Sequence, residues 1–350
     1  MSIFGKPEAA KKFHNYHRKI TRDKNLRGKL SRVLELAYNN ACNFHCQHCS
    51  TRAPLNDGQA SLMPFEKIAS LADEAHELGI FEFNLHGGEL IIKPEQVFSL
   101  LDAIKPERFY TFLTTNGYLM TQELAGRLAA SGVDRVSVSL DSMNPETHDG
   151  FRGVKGAHRR ALDALEYVKS AGMRPYMNIT VGHFNAMSDD LDDMCRYSYE
   201  RGYITFLNAA IPSGSWKGRF DVMLDKADKA HLIELRKKYK NIFRDLWDVF
   251  DSKYEKVLGC QTISKLYVTP SGDVLPCSFI HIKIGNVYEK SLREIVDYGL
   301  SIKYFNSYMN CCLAGECPEF ARRYMMGDMS MQRPAPAGDV FEEEDFMQRW

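Results

Sequence analysis

The sequence lacks an apolar run long enough to cross a membrane, and its first residues lack the apolar segment of a secretory signal peptide. It also lacks net charge, because 45 Lys and Arg residues balance 45 Asp and Glu residues. Neutrality argues against a nucleic-acid partner, and the missing apolar segments argue against a membrane partner. We therefore expect a cytoplasmic protein whose cysteine thiols stay reduced.

Opposite charges nevertheless gather at the two ends of the chain. Residues 1–32 contain ten Lys and Arg residues and two acidic residues, whereas residues 334–350 contain five acidic residues and one Arg. Such charge runs are usually solvated, so we expect an exposed basic helix and a flexible acidic tail or lid. The alternative is a basic arm that attracts an anionic substrate or an acidic redox partner.

Short β-rich runs alternate with helical stretches between residues 33 and 210. The predicted strands cover 33–39, 80–86, 109–117, 133–142, 175–182 and 203–210. The predicted helices between them cover 63–79, 94–105, 121–132, 157–172 and 188–202. Six such units predict an α/β fold, a partial (β/α)6 TIM-like barrel with its chemistry at the carboxyl ends of the strands.

The composition along the chain suggests five segments. They are a basic N-terminal extension (1–32), the partial barrel (33–223), a charged helical connector (224–257), a small α+β cluster-binding domain (258–327) and the acidic tail (328–350). The small domain is expected because short strands and a Pro-Ser-Gly-Asp turn replace the βα pattern there.

Eight of the nine cysteines fall into two groups, and the first group lies directly after the first predicted strand. Cys42, Cys46 and Cys49 form a C-x3-C-x2-C pattern. Structural zinc sites use four ligands, commonly in C-x2-C pairs, so three thiolates fit an iron–sulfur cluster with one open iron better. With Gly-Gly-Glu (87–89) after the second strand, the pattern resembles the radical S-adenosylmethionine (SAM) superfamily over residues 33–210.

That resemblance implies a [4Fe–4S] cluster held by the three cysteines, with SAM chelating its open iron. It implies further SAM-binding residues at the strand ends: His48, Gly87, Gly88, Glu89, Asn116, Ser139, Asp141 and Asn178. Glycines at 87 and 88 would let the backbone approach the ligand closely. Polar residues at strand ends are also common as caps and turns, and that alternative stays open for each of them.

The second cysteine group resembles the SPASM domain, which carries auxiliary clusters in many radical SAM enzymes. Cys260 and Cys277 match its opening C-x11-G-x4-C pattern, but too few cysteines follow for two clusters. The region therefore resembles the shortened twitch form, with one auxiliary [4Fe–4S] cluster on Cys260, Cys277, Cys317 and Cys312, or Cys311 in place of Cys312. A structural zinc on the same thiols is the alternative. The isolated Cys195 is expected in the core.

The superfamily chemistry implies that a reductant such as flavodoxin or ferredoxin delivers an electron, SAM is cleaved, and a 5′-deoxyadenosyl radical takes a hydrogen atom from the substrate. An auxiliary cluster suits a net two-electron oxidation. We expect an oxidoreductase of the dehydrogenase type acting on a small polar molecule: a sugar, an aminocyclitol or a nucleotide sugar. The candidate catalytic residues are Arg152, His183, Asp141 and Tyr176. The segment 211–225 is a candidate for specificity.

Two alternatives remain. The first is a maturase of ribosomally made peptides, which we disfavour because such enzymes often carry a leader-recognition domain ahead of the barrel and only 32 residues precede the first strand. The second is a structural metal-binding protein without catalysis, against which the Gly-Gly-Glu run and the strand-end polar residues count.

Overall fold

Parallel strands with helices between them dominate the described part of the chain. The structure is a computed structural model that describes residues 5–51, 62–251, 253 and 256–347. Its strands are β1 (Val33–Ala37), β2 (Glu82–His86), β3 (Tyr110–Thr115), β4 (Arg135–Ser139), β5 (Arg174–Val181), β6 (Ile204–Ala209), β7 (Ile242–Phe243), β8 (Lys265–Val268), β9 (Asp273–Leu275), β10 (Ile282–Lys283), β11 (Gly285–Asn286) and β12 (Ala335–Pro336). Its helices are α1 (Pro7–Arg22), α2 (Phe65–Glu77), α3 (Pro94–Ile104), α4 (Gln122–Ala130), α5 (Pro145–Arg152), α6 (Ala157–Ser170), α7 (Asp189–Arg201), α8 (Lys226–Lys238), α9 (Leu292–Leu300), α10 (Pro318–Tyr324) and α11 (Ala337–Val340).

Within the described residues, ten strands form one sheet in the order β11-β9-β8-β1-β2-β3-β4-β5-β6-β7. Every neighbouring pair from β1 to β7 is parallel. The intervening helices bury apolar faces, such as Ile68 and Leu71 of α2 and Leu100 and Leu101 of α3. The predicted fold class, a partial (β/α)6 barrel followed by a small α+β part, is confirmed. One helix in this region, α5, was not predicted.

The cysteine-rich C-terminal part is an extension of the barrel sheet. Strand β8 pairs parallel with β1, placing Leu34 opposite Leu266, and β9 pairs antiparallel with β8. Strand β11 continues the sheet, while β10 and β12 form a separate parallel pair. The two cysteine groups therefore lie on neighbouring segments of one hydrogen-bonded framework.

The charged segment after the barrel differs from the single helical connector that the sequence suggested. Helix α8 ends at Lys238, and the chain then adds β7 to the sheet beside β6. Tyr239, Ile242 and Trp247 are buried here, which fixes this stretch against the barrel. Asp245, just beyond β7, pairs with Lys265 of β8 at 2.7 Å, so an ion pair bridges the gap between the two sides of the barrel.

Both ends of the chain pack more closely than the expected solvated helix and flexible tail. Helix α1 buries Tyr16 and Ile20 in a cluster that includes Phe81. In the C-terminal segment, Tyr324 donates hydrogen bonds of 3.0 and 3.1 Å to the fully buried Asp345. Among the described residues, no helix is both long enough and apolar enough to cross a membrane.

Candidate functional site

The first cysteine loop follows β1 and lines a cavity of about 690 Å³ inside the barrel. Cys42, Cys46 and Cys49 all lie in its wall. Backbone hydrogen bonds join this loop to α5: His45 donates to the carbonyl of Arg152 at 3.3 Å. The helix ends at Gly153 with φ of +71°, where a Cβ atom would come 2.7 Å from the His45 carbonyl oxygen. The helix that the sequence did not predict therefore anchors the cysteine loop.

A glycine cradle borders the same loop. A Cβ atom on Gly88 would lie 2.1 Å from the carbonyl oxygen of Ala41, and one on Gly87 would lie 3.0 Å from that of Asn39. Gly87 and Gly88 both line the cavity, and the buried Asn39 Oδ1 atom has no partner among the described residues. Three thiols beside an open backbone surface with a free acceptor fit a cluster and the amino-acid end of SAM.

Glu89 ties two loops together and does not line the cavity. Its carboxylate accepts hydrogen bonds from the Thr115 hydroxyl at 2.9 Å, the Asn116 backbone N–H at 2.6 Å and the Ile91 backbone N–H at 3.3 Å. Burial raises the pKa of Glu89 to about 7, although these donors oppose the increase. In this arrangement Glu89 shapes the cradle and fixes the end of β3.

Arg152 and Asp141 form a buried ion pair beside the cysteine loop. The guanidinium contacts the Asp141 carboxylate at 2.6 Å, and its Nη1 atom lies 3.8 Å from Cys46 Sγ. Burial alone would lower the pKa of Arg152, but Asp141 and Cys46 more than offset it, so the pKa is raised. Asp141 also accepts the Thr180 backbone N–H at 2.8 Å. Asp141 thus holds the Arg152 guanidinium in a fixed position next to the cysteine loop.

Two aromatic side chains, Phe151 and Trp216, lie against His48. Its ring stacks on Phe151 at 4.4 Å between centroids and lies 5.7 Å from Trp216. Burial first, and then the Arg152 charge, lower the pKa of His48 to about 3, so the ring is neutral. Trp216 belongs to the segment predicted to govern specificity, and it lines the cavity. The adjoining Ser215 N–H donates to the Cys49 carbonyl at 2.9 Å, which attaches this segment to the cysteine loop.

The remaining predicted residues divide by position. Asn116, Ser139, Tyr176 and Asn178 line the cavity with the cysteines. His183 is not among the lining residues; its exposed ring contacts Asp228 at 2.9 Å, away from the cysteine loop. The structure thus groups most of the predicted SAM-site residues, and it separates His183 from them.

A polar interior below the cysteine loop was not identified from the sequence. Glu35 and Lys265 face each other at 3.2 Å, and Arg135 binds Glu82 at 2.7 Å while lying 4.9 Å from the Tyr176 ring centroid. The signal was present in the strands, where charged residues interrupt otherwise apolar runs. Strands buried on both faces are usually almost wholly apolar, so these charges mark an interior that a polar ligand can enter.

The second cysteine group surrounds a smaller cavity of about 70 Å³. Cys260, Cys277 and Cys312 line it, whereas Cys311 and Cys317 do not. Burial raises the pKa of Cys277 to about 12 and that of Cys312 well above its ordinary value. Burial first, and then the charges of Cys317 and Glu316, raise the pKa of Cys311 to about 11. Three thiols of the second group therefore face one space, which is suited to a metal cluster.

The two cavities share part of their walls. The residues common to both are Glu35, Asn208, Ala209, Arg244, Asp245, Lys265, Ser278 and Phe279. Only a single layer of side chains thus separates the space beside the second cysteine group from the barrel interior. Such proximity suits electron transfer between a molecule in the barrel and a cluster on those cysteines.

Comparisons with known proteins agree with this geometry. The chain matches the Radical SAM superfamily over residues 36–197 and the iron–sulfur cluster-binding SPASM domain over residues 260–318. It is 26% identical to an AdoMet-dependent heme synthase of Methanosarcina barkeri, over 87% of this chain and 93% of that protein. It is 27% identical to a PqqA peptide cyclase of Ruegeria pomeroyi, over 76% of this chain and 73% of that protein.

Solved structures of Streptococcus suis SuiB share the fold. The complex with S-adenosylmethionine has a TM-score of 0.59 and 17% identity, covering 80% of this chain and 69% of that chain. The complex with the precursor peptide SuiA has a TM-score of 0.58 and 17% identity, covering 81% and 68%. The cofactors are SAM and [4Fe–4S] clusters, an auxiliary cluster included. The chain belongs to the radical SAM superfamily and carries a SPASM iron–sulfur domain.

Proposed function

We propose that this radical SAM enzyme is a peptide maturase that oxidises its substrate by two electrons. The observation that carries the proposal is the extent of the cavity. It is lined near the cysteine loop by Thr51 and Trp216, and at the underside of the barrel by Phe13, His17 and the exposed Phe250. A cavity that reaches both ends of the barrel suits an extended chain, because a peptide enters as a strand of linked residues.

The comparisons favour this function over the expected small polar substrate. Similarity to a PqqA peptide cyclase and to SuiB, which has been crystallised with a precursor peptide, supports a peptide. The comparisons give no support to a sugar, an aminocyclitol or a nucleotide sugar. The mixed charges of the interior, with Glu35 and Glu82 beside Lys265 and Arg135, also suit amide and side-chain groups better than a uniformly charged ligand.

The residues of the first site have separable roles in this proposal. Cys42, Cys46 and Cys49 hold the SAM-binding cluster, and Gly87 and Gly88 admit the amino-acid end of SAM. When bound, these cofactors supply the reductive cleavage that makes a hydrogen-abstracting radical. Asn116, Ser139 and Asn178 offer polar groups from the cavity wall to the nucleoside. His48, Phe151 and Trp216 lie close together, and their rings would keep water from a bound nucleoside.

Oxidation also requires that an electron and a proton leave the substrate after hydrogen abstraction. An auxiliary cluster would be held by Cys260, Cys277, Cys312 and Cys317, and it would supply an acceptor for that electron. We assign the proton to Glu35, whose buried Oε2 atom has no partner among the described residues. Burial would raise the pKa of Glu35, but Lys265 and His86 more than offset it and hold the pKa below its usual value. The ionised carboxylate can therefore accept a proton from an acidic oxidised intermediate.

The test is co-expression with each short peptide encoded beside the gene, followed by anaerobic reconstitution of the enzyme. We expect one peptide to lose the mass of two hydrogens and to stimulate 5′-deoxyadenosine formation in the presence of flavodoxin or ferredoxin. The variant with Cys42, Cys46 and Cys49 all replaced by Ala is the control and should form neither product. Coupled turnover with a nucleotide sugar or a haem precursor, and none with any peptide, would contradict the proposal.

A further inference from the structure

One buried arginine stands between the two cavities, and the cofactor sites do not account for it. Arg244 follows β7 directly and lines both the barrel cavity and the small cavity of Cys260, Cys277 and Cys312. Only 4% of its side chain is exposed. A guanidinium costs several kcal/mol to bury without partners, so its position needs a physical reason.

Glu316 is the buried ion-pair partner of Arg244. Its Oε1 atom forms a buried ion pair with Arg244 Nη2, and its Oε2 atom accepts the Cys312 backbone N–H at 3.2 Å. Glu316 does not line the small cavity, so the carboxylate holds the guanidinium from the side away from it. The ion pair thereby links the barrel edge directly to the turn that carries Cys312.

One N–H group of the Arg244 guanidinium is left without a hydrogen-bond partner among the described residues, although the guanidinium carbon lies 5.6 Å from the Trp247 ring centroid. This group is the buried Nε–H. Buried N–H donors without partners are rare in folded proteins and generally mark a missing ligand or water. The ligand expected in the small cavity is a cluster whose sulfur atoms, with the cysteine thiolates, are hydrogen-bond acceptors carrying negative charge.

We propose that Arg244 is a positioning residue of the auxiliary cluster and that its Nε–H donates a hydrogen bond to a sulfur atom there. A cluster held by cysteine thiolates would bring negative charge into this buried cavity. The positive charge of Arg244 offsets the negative charge of the cluster. This stabilisation is stronger for the reduced cluster, which carries more negative charge, so Arg244 raises the reduction potential of the cluster.

This inference rests on the auxiliary cluster and adds a purpose to the proposed function, in which that cluster accepts the substrate electron. A higher reduction potential of the auxiliary cluster makes the transfer of the substrate electron to it more favourable. Lys265 also lines the small cavity, but it is paired with Glu35 and Asp245 and so has little to offer a sulfur atom. Of the two cations that line the small cavity, Arg244 has a hydrogen-bond donor without a partner among the described residues.

The test uses full-length protein in which Cys42, Cys46 and Cys49 are replaced by Ala, so that only the auxiliary cluster gives a signal. EPR-monitored redox titration should show a lower midpoint potential in Arg244→Met than in the parent, and an intermediate one in Arg244→Lys, which keeps the charge but loses Nε. Arg236→Met is the matched control, because Arg236 is equally buried and lines neither cavity. It should leave the potential unchanged.

A second measurement needs no variant at Arg244. Pulsed EPR of the reduced auxiliary cluster in protein labelled with ¹⁵N-arginine should show a nitrogen coupling of a hydrogen-bonded donor. An unchanged potential in Arg244→Met, or no arginine coupling, would overturn the proposal, as would a chain that binds no auxiliary cluster. Neither measurement uses a substrate, so failure to modify any peptide would refute the proposed function and leave this inference standing.

Discussion

Replacement of Gly88 by Ala should damage SAM binding while leaving the fold intact. The new Cβ atom would lie 2.1 Å from the Ala41 carbonyl oxygen, and real Cβ atoms essentially never come closer than 3.0 Å to such an atom. Since 2.1 Å is 0.9 Å short of 3.0 Å, one of the two segments must move by about that distance. Both are backbone, so no flexible side chain can absorb the change.

The displacement acts on the ligand through two hydrogen bonds. Gly88 N–H donates to Asn39 O at 3.0 Å and Glu89 N–H donates to Ala41 O at 2.7 Å, which together keep the cradle against the cysteine loop. A misplacement of about 1 Å at an active site can reduce a rate by about 10²-fold. We expect the SAM dissociation constant to rise at least ~10-fold, equivalent to about 1.4 kcal/mol, and 5′-deoxyadenosine formation to fall by ~10²-fold.

The assay is anaerobic equilibrium dialysis with labelled SAM, together with iron content and the rate of 5′-deoxyadenosine formation. Gly126→Ala is the matched control, because Gly126 lies within α4 with no atom within 4 Å of a new Cβ. That helical replacement should stabilise the protein by about 0.5–1 kcal/mol and leave SAM binding unchanged. Wild-type SAM affinity in Gly88→Ala would refute the reasoning.

Three further predictions concern single residues. Cys312→Ala should lose the auxiliary iron and its EPR signal, whereas Cys311→Ala should keep both; iron retention in Cys312→Ala would contradict the cavity assignment. Burial lowers the pKa of His148 to about 4. As the pH drops from about 6.5 to 4, the unfolded chain therefore binds a proton at this histidine before the folded chain does. The free energy of unfolding should fall by about 3 kcal/mol over that range. His148→Asn should flatten that slope in urea titrations at successive pH values, and an equal slope would count against burial as the cause. Tyr324→Phe should lower the free energy of unfolding by about 1–3 kcal/mol, because Asp345 loses a buried hydrogen-bond donor. An unchanged thermal stability would show that the tail is loosely attached.

The barrel could be predicted because its signals are local. Each strand is a short apolar run followed by polar or glycine-rich residues, and the cysteine spacing and Gly87-Gly88 lie at those strand ends. Helix α5 could not be found in this way. It has only eight residues and buries little, so its two main signals are the Asn144 cap, which accepts the Thr147 N–H at 3.0 Å, and the terminal Gly153.

The rest depends on pairings between distant residues. The charge runs at both ends predicted exposure, yet Tyr16 and Asp345 are buried because partners elsewhere in the chain receive them. The position of His183 after β5 predicted an active-face role, but the loop turns its ring toward Asp228. The layer shared by the two cavities arises from β8 pairing with β1, and no local pattern in residues 258–327 predicts that register.

The pairing of β1 with β8 also sets an order of assembly. During synthesis, one edge of β1 stays without its partner until Lys265–Val268 has been made, and the first cysteine loop starts only five residues beyond that strand. The loop therefore gains its final support late, after nearly all of the barrel exists. We therefore expect delivery of iron and sulfide to Cys42, Cys46 and Cys49 to follow the synthesis of β8.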